Sequence, residues 1–130
     1  MGLLNAGRNF LAQVMINDSS PTFFDNAHAY LCVGDSNTAY NAAQTDLQAE
    51  TNKLRKAMDA SYPTRSDNAN TFRSTFGTSD ANFEWIEWGV ANASSGGVLF
   101  NRKVESPSLG TKTNAQSWVL TATLTLGIGS

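Results

Sequence analysis

WVLTATLTL, residues 118–126, alternates without a break: Trp118, Leu120, Ala122, Leu124 and Leu126 share one side, and Val119, Thr121, Thr123 and Thr125 share the other. One apolar face and one threonine face make a half-buried antiparallel strand. A parallel βαβ strand, covered on both sides, would be apolar throughout.

Working back from this strand, the second half of the chain reads the same way. TFRSTF at 71–76 sets Phe72, Ser74 and Phe76 against Thr71, Arg73 and Thr75. FEWIEWGVA at 83–91 is rich in aromatic and branched residues. It meets VLFNRKVE at 98–105 through the small-residue cluster NASSGG at 92–97. Two strand-like runs around a short glycine-containing loop predict a hairpin. In the first half, Ala27, Ala29, Leu31 and Val33 predict a strand ending in the turn GDSN at 34–37. A weaker alternation predicts another strand over 53–59. Residues 40–50 suit a short helix or an irregular turn, and YPTRSDNAN at 62–70 reads as a loop.

Ahead of these strands, Leu3, Leu4, Gly7, Phe10, Leu11, Val14 and Met15 recur at helical spacing, with Asn5, Arg8, Asn9 and Gln13 on other faces. An amphipathic helix is expected over 3–16, closed by NDSSP at 17–21. The fold class expected is therefore mainly β: an antiparallel β-sandwich or partly closed barrel with an N-terminal amphipathic helix. Residues 1–20 form the helix, its turn and a candidate docking arm, and residues 21–130 form a single antiparallel β domain.

Composition narrows the function. At 130 residues there is room for one core, about two-thirds buried on folding. Charged residues make up only 15%, against about 25% in an average soluble domain. Asn, Ser, Thr, Ala and Gly replace them, a surface suited to strands and packed contacts. Nine basic residues against eleven acids give a net charge of −2, which argues against nucleic acid, since phosphate binding needs clustered cations. The densest basic stretch is Lys53, Arg55 and Lys56, read as a solvated or intersubunit face. No apolar run approaches the ~20 residues of a membrane span. No secretion signal is visible, because Asn5, Arg8, Asn9 and Gln13 interrupt any apolar core, so synthesis and folding in a cytoplasm are expected. The lone Cys32, in AYLCVG, is read as a buried thiol.

Candidate chemistry is sparse. LCVGDSNTA at 31–39 resembles the nucleophile block of the SGNH (GDSL-type) hydrolases, in which a histidine activates the serine. Here His28 stands eight residues before Ser36, about 26 Å away along a straight strand. The family's histidine lies near the C-terminus, and its helical crossovers have no counterpart in this sequence. Gly34–Asn37 is read as a turn. His28 and Cys32 share a strand face about 13 Å apart, too far for one zinc ion. Glu84 and Glu87 fall on opposite strand faces and are read as exposed or interface acids, not a general acid/base pair. No cofactor, metal site or catalytic residue is expected.

Three blocks in order carry a second resemblance: NAHAYLCVGDSNTAYNAAQTDLQAETNKLRKAMDASYP, TFRSTFGTSDANFEWIEWGVANASSGGVLFNRKVES and LGTKTNAQSWVLTATLTL. An aromatic–acid–aromatic–glycine strand, a small-residue hairpin, an arginine-containing strand and a threonine-rich last strand together resemble small bacteriophage virion proteins. The resemblance implies a non-enzymatic particle component. It is either a capsid decoration (cement) protein, commonly a trimer clamping the major capsid protein, or a tail, collar or fibre part, including host-surface binding. Localisation in the virion follows from it. The interface expected is Leu3, Leu4, Phe10, Leu11, Val14 and Met15 of the helix, with Trp85 and Trp88, because tryptophans on opposite faces of one strand cannot enter the same core layer.

Overall fold

The structure, a computed structural model, describes residues 1–127. Among the described residues a helix α1 (Asn5–Ile16) precedes nine strands: β1 (Tyr30–Gly34), β2 (Lys53–Ala57), β3 (Thr64–Ser66), β4 (Ala69–Phe76), β5 (Glu84–Trp85), β6 (Glu87–Ala91), β7 (Lys103–Val104), β8 (Gly110–Thr111) and β9 (Trp118–Thr125). Every pairing is antiparallel. The strands form one sheet in the order β2-β1-β6-β7, a second in the order β3-β4-β9, and a small β5-β8 ribbon. The chain is mainly β with an N-terminal helix, its sheets stacked in a sandwich-like arrangement, and among the described residues no sheet closes into a barrel.

The core lies between the two larger sheets. Leu31 and Val33 of β1 and Val90 of β6 meet Phe72 and Phe76 of β4 and Ala122 and Leu124 of β9. The alternation read in β4 and β9 is realised: Phe72, Ser74 and Phe76 are buried, and Val119, Thr121, Thr123 and Thr125 are exposed. The first strand differs from its reading. It starts at Tyr30, and Leu31 to Gly34 are all buried. Its other face, carrying Cys32, is covered by Leu4, Leu47 and Leu99, so the alternation of one open face never arises.

Two elements were invisible to residue patterns. Thr64–Ser66, inside the expected loop, pairs with β4 as a short edge strand with every residue exposed. Gly110–Thr111 pairs with β5. Residues 40–50 are irregular, as one of the two expected forms. The expected strand at 83–91 is interrupted at Ile86, where the chain passes from the ribbon to the four-stranded sheet. The hairpin that follows is present, with β7 beside β6 and a bridge from Ala91 to Leu99.

The helix is shorter at its start than expected. Leu3 forms a bridge with Asn101, and Leu4 is extended and fully buried. The Leu4 N–H donates to the Phe100 carbonyl at 3.0 Å and the Arg102 N–H to the Gly2 carbonyl at 2.8 Å. Gly7 lets α1 lie directly on the sheet, since a Cβ there would collide with the Phe100 carbonyl. Phe10 then stacks edge-to-face on Phe24 at 4.8 Å. The helix ends at Asn17, in the left-handed region with φ 51°, and Asp18 N–H caps the Gln13 carbonyl at 2.9 Å.

The first sixteen residues are therefore no free docking arm. Their first two turns are sealed into the chain's own domain, because Leu4 and Phe10 find apolar partners there. Leu4→Ala is expected to cost about 2–5 kcal/mol, while Met15→Ala stays close to neutral because Met15 is 85% exposed. Removing residues 1–16 is expected to abolish the cooperative unfolding transition. Denaturant titration of the two point variants checks the ordering, and equal midpoints would refute this packing.

Candidate functional site

Between α1 and the β3-β4-β9 sheet the surface opens into an apolar groove of about 390 Å³, within the size range of ligand-holding clefts. Phe72, Val90, Phe100 and Leu124 line it, and so do Val14, Phe23 and Leu126, which are 38%, 54% and 40% exposed. Its polar lining is Asp25, Asn26, Thr64, Arg65 and Asn70. Beyond Val14, the last turn of the helix presents Met15 and Ile16 almost fully to solvent. The apolar stripe of α1 thus runs past the edge of its own core. Such a groove can seat apolar side chains.

The residues expected at an interface separate into three groups. Leu4 is fully buried inside the domain, and Phe10, 7% exposed, forms part of the groove wall. Leu3 and Leu11 are half-buried against the same core. Val14 and Met15 are exposed. Trp85 is a core residue, 2% exposed, with its indole N–H donating to the Ala81 carbonyl at 3.0 Å. Its ring stacks edge-to-face between Phe76 at 4.7 Å and Trp118 at 5.0 Å. Trp88 is half-buried against the same core, with its N–H on Glu105 Oε1 at 3.2 Å. The expectation that these two tryptophans must part company is corrected by the break at Ile86. They belong to different strands and converge on one core.

A second centre lies on the opposite face of the four-stranded sheet. Glu87 and Arg102 are both fully buried and pair at 2.7 Å through Arg102 Nε. The Glu87 carboxylate also accepts the N–H groups of Gln48 at 2.7 Å, Ala49 at 2.9 Å and Ser36 at 3.3 Å. Arg102 continues to Gln44 Oε1 at 3.2 Å and the Ser36 carbonyl at 3.5 Å. Gly34 is required beside it, because a Cβ there would strike the Glu87 carboxylate. Glu87 is thus no exposed or interface acid. The loop from Ser36 to Ala49 covers it, and its four donors leave no lone pair facing a substrate. Glu84, by contrast, is exposed and accepts from Ser108 Oγ at 2.8 Å.

The residues of the hydrolase-like block do not come together. Ser36 Oγ donates to Thr38 Oγ1 at 2.9 Å and accepts the Thr38 N–H at 3.1 Å. The exposed His28 Nδ1 lies 2.6 Å from Asp25 Oδ1. Cys32 is sealed in the sheet, and burial pushes its thiol up to about 12, against the pull of Arg55. Among the described residues no three His, Cys, Asp or Glu side chains converge in a way that could hold a metal ion. No helix among them is long and apolar enough to cross a membrane.

The basic stretch is tied down by acids. Lys53 and Arg55 reach Asp46 at 3.1 and 3.4 Å, Arg55 also donates to the Ala93 and Gly96 carbonyls, and Lys56 reaches Asp80 at 2.8 Å. Burial raises the Asp46 carboxyl, but the hydrogen bonds from Lys53 and the Leu47 N–H, with the charges of Lys53 and Arg55, carry it below its ordinary value. Lys56 and the Gly77 N–H hold Asp80 low as well. Lys112 is also fully buried, with Nζ donating to Asn82 Oδ1 at 2.8 Å.

No protein-family model, curated protein or solved structure matches this chain.

Sequence reasoning missed the Glu87–Arg102 centre and the groove. The signal for the first was an acid, Glu87, and an arginine, Arg102, in the two arms of a predicted hairpin, although Glu84, Lys103 and Glu105 in the same arms dilute it. Glu87→Ala leaves Arg102 buried and unpaired and is expected to cost about 3–5 kcal/mol. Equilibrium denaturation reads this, and a loss under ~1 kcal/mol would show that water replaces the carboxylate. The depressed Asp46 and Asp80 stabilise the fold above the ordinary carboxylate pKa, and that stabilisation is lost as pH falls through their lowered values. The gap in melting temperature between wild type and Asp80→Asn is therefore expected to be largest near neutrality and to close in acid.

Proposed function

We propose that this chain is a non-enzymatic structural subunit of a bacteriophage virion, acting as a capsid decoration (cement) protein. It associates with itself and with the major capsid protein or another virion protein. The observation that carries the assembly reading is the run of Val14, Met15 and Ile16 leading from the open groove out over the surface. Side chains this apolar are normally covered, and the chain's own core stops short of them. The order of sequence blocks that resembles small virion proteins supplies the particle. A subunit present in many copies gains from modest contacts multiplied by avidity, which suits a surface of small apolar features without a deep polar site. Placement in a tail, collar or fibre is the second reading.

The copy number of this chain per purified particle, set against the major capsid protein, tests the placement. Hundreds of copies are expected for decoration, and a dozen or fewer would move the chain to the tail or collar. For the contact itself, Met15→Asp with Ile16→Asp should leave the melting temperature unchanged. Burying one such side chain contributes about 1.5–3 kcal/mol, so binding to particles should fall on the order of tenfold or more. Unchanged binding would remove the helix end from the interface. The isolated protein is expected to show no ester hydrolysis that Ser36→Ala abolishes.

A further inference from the structure

Among the described residues the two larger sheets have four free edges, and three of them are blunted against pairing. β2 carries Lys53, Arg55 and Lys56. β7 is two residues long and includes Lys103. β3 is three residues long with Arg65 at its centre. Charges and shortness are the usual defences of an exposed edge. The fourth edge, β9, has neither. It runs for eight residues, Trp118–Thr125, and no charged side chain occurs between Lys112 and Gly127. Proline is absent from the strand as well.

The hydrogen-bonding phase of β9 shows which groups are free. Leu126 N–H donates to the Asn68 carbonyl at 2.9 Å, and the register continues through Asn70 opposite Leu124, Phe72 opposite Ala122 and Ser74 opposite Leu120. Antiparallel bonding alternates, so the backbone groups of these β9 residues face β4. Those of Val119, Thr121, Thr123 and Thr125 face away, and among the described residues no strand takes them up. The same four side chains are exposed, Val119 at 58%.

We propose that the free edge of β9 pairs antiparallel with β9 of a second copy of this chain. A two-fold axis at Ala122 sets Thr121 opposite Thr123 of the second copy and Val119 opposite its Thr125. On the core face it sets Leu120 opposite Leu124. Every residue with outward backbone groups then meets another of the same phase, which an antiparallel hydrogen-bonded pair requires. No like charges meet. A cross-strand threonine pair already spans β4 and β9, at a non-hydrogen-bonded position, where Thr71 Oγ1 and Thr123 Oγ1 lie 3.1 Å apart. The product is one continuous sheet, β3-β4-β9-β9-β4-β3, across both copies. The inference rests on the reading of the chain as a self-associating subunit. It replaces the expected three-fold symmetry with a two-fold, because a self-complementary edge closes after one pairing.

Sedimentation of the purified protein at tens of micromolar, with amide exchange followed residue by residue, tests the contact. A dimer is expected in which the N–H groups of Val119, Thr121, Thr123 and Thr125 are protected, and protection fades on dilution. Thr121→Lys with Thr123→Lys places like charges across the axis. It should weaken the dimer on the order of tenfold or more while the monomer keeps its melting temperature. A monomer, a trimer, or a dimer with these amides exchanging freely overturns the pairing. Should the double variant fail to fold, the exchange pattern of the wild type alone decides. A trimer would overturn the pairing and leave the subunit reading standing. Particle binding, measured separately, reports on the virion assignment: a dimer with protected β9 amides that never binds particles keeps the pairing and removes that assignment.

Discussion

A carboxylate and a guanidinium shut away from water at 2.7 Å organise this domain. Glu87 projects from the outer face of the four-stranded sheet, where a sandwich of this size would ordinarily be wet. Desolvating it is tolerable only because Arg102 and three backbone N–H groups surround it. Those donors come from Ser36, Gln48 and Ala49, so satisfying the charge folds the irregular 36–49 segment across the sheet. The segment brings Leu47 and Ala49 with it, which bury against the same face. A residue segment with no periodicity of its own is thus placed by the hydrogen-bond demand of one acid.

The residue preceding Arg102 extends the same logic to the N-terminus. Asn101, fully buried, accepts the Val90 N–H at 3.0 Å and donates to the Met1 carbonyl at 2.9 Å. With the Leu3–Asn101 bridge and the Arg102–Gly2 bond, the first residues lie along the sheet before the helix begins. Leu4 then closes the small apolar cluster around Cys32. The four-stranded sheet is covered on both faces, by the second sheet on one side and by the 36–49 loop and N-terminus on the other.

That double covering explains what could be read from the residues and what could not. β4 and β9 each have one open face, so their alternation survives in the sequence as Phe72, Ser74, Phe76 and as Leu120, Ala122, Leu124. β1 is covered twice, and Ala27, read as its first apolar residue, lies exposed ahead of the strand. Thr64–Ser66 carries no apolar residue and is held by backbone pairing to β4, which leaves no compositional trace. The helix was legible as a helix, yet its stripe could not say where the chain's own core would end. Phe10 meets Phe24 and Val14 meets only the open groove, although both fall on the same stripe. The long-range partners of Glu87, up to 51 residues away in sequence, follow no short-range pattern.

The distribution of covered and open surface also separates the two sheets by role. The four-stranded sheet spends its outer face on internal order, and its edges are charged or short. The three-stranded sheet keeps a threonine face and an uncharged edge in solvent. The groove, lined by Val14 and Phe23 together with Phe72, Leu124 and Leu126, opens on the side where α1 meets this second sheet. The groove mouth, the overhanging helix end and the outward backbone groups of β9 therefore belong to one half of the molecule, while Met1, Tyr40 and Leu109 are exposed elsewhere. The Glu87–Arg102 side holds the shape, and the three-stranded sheet is the part left open to solvent.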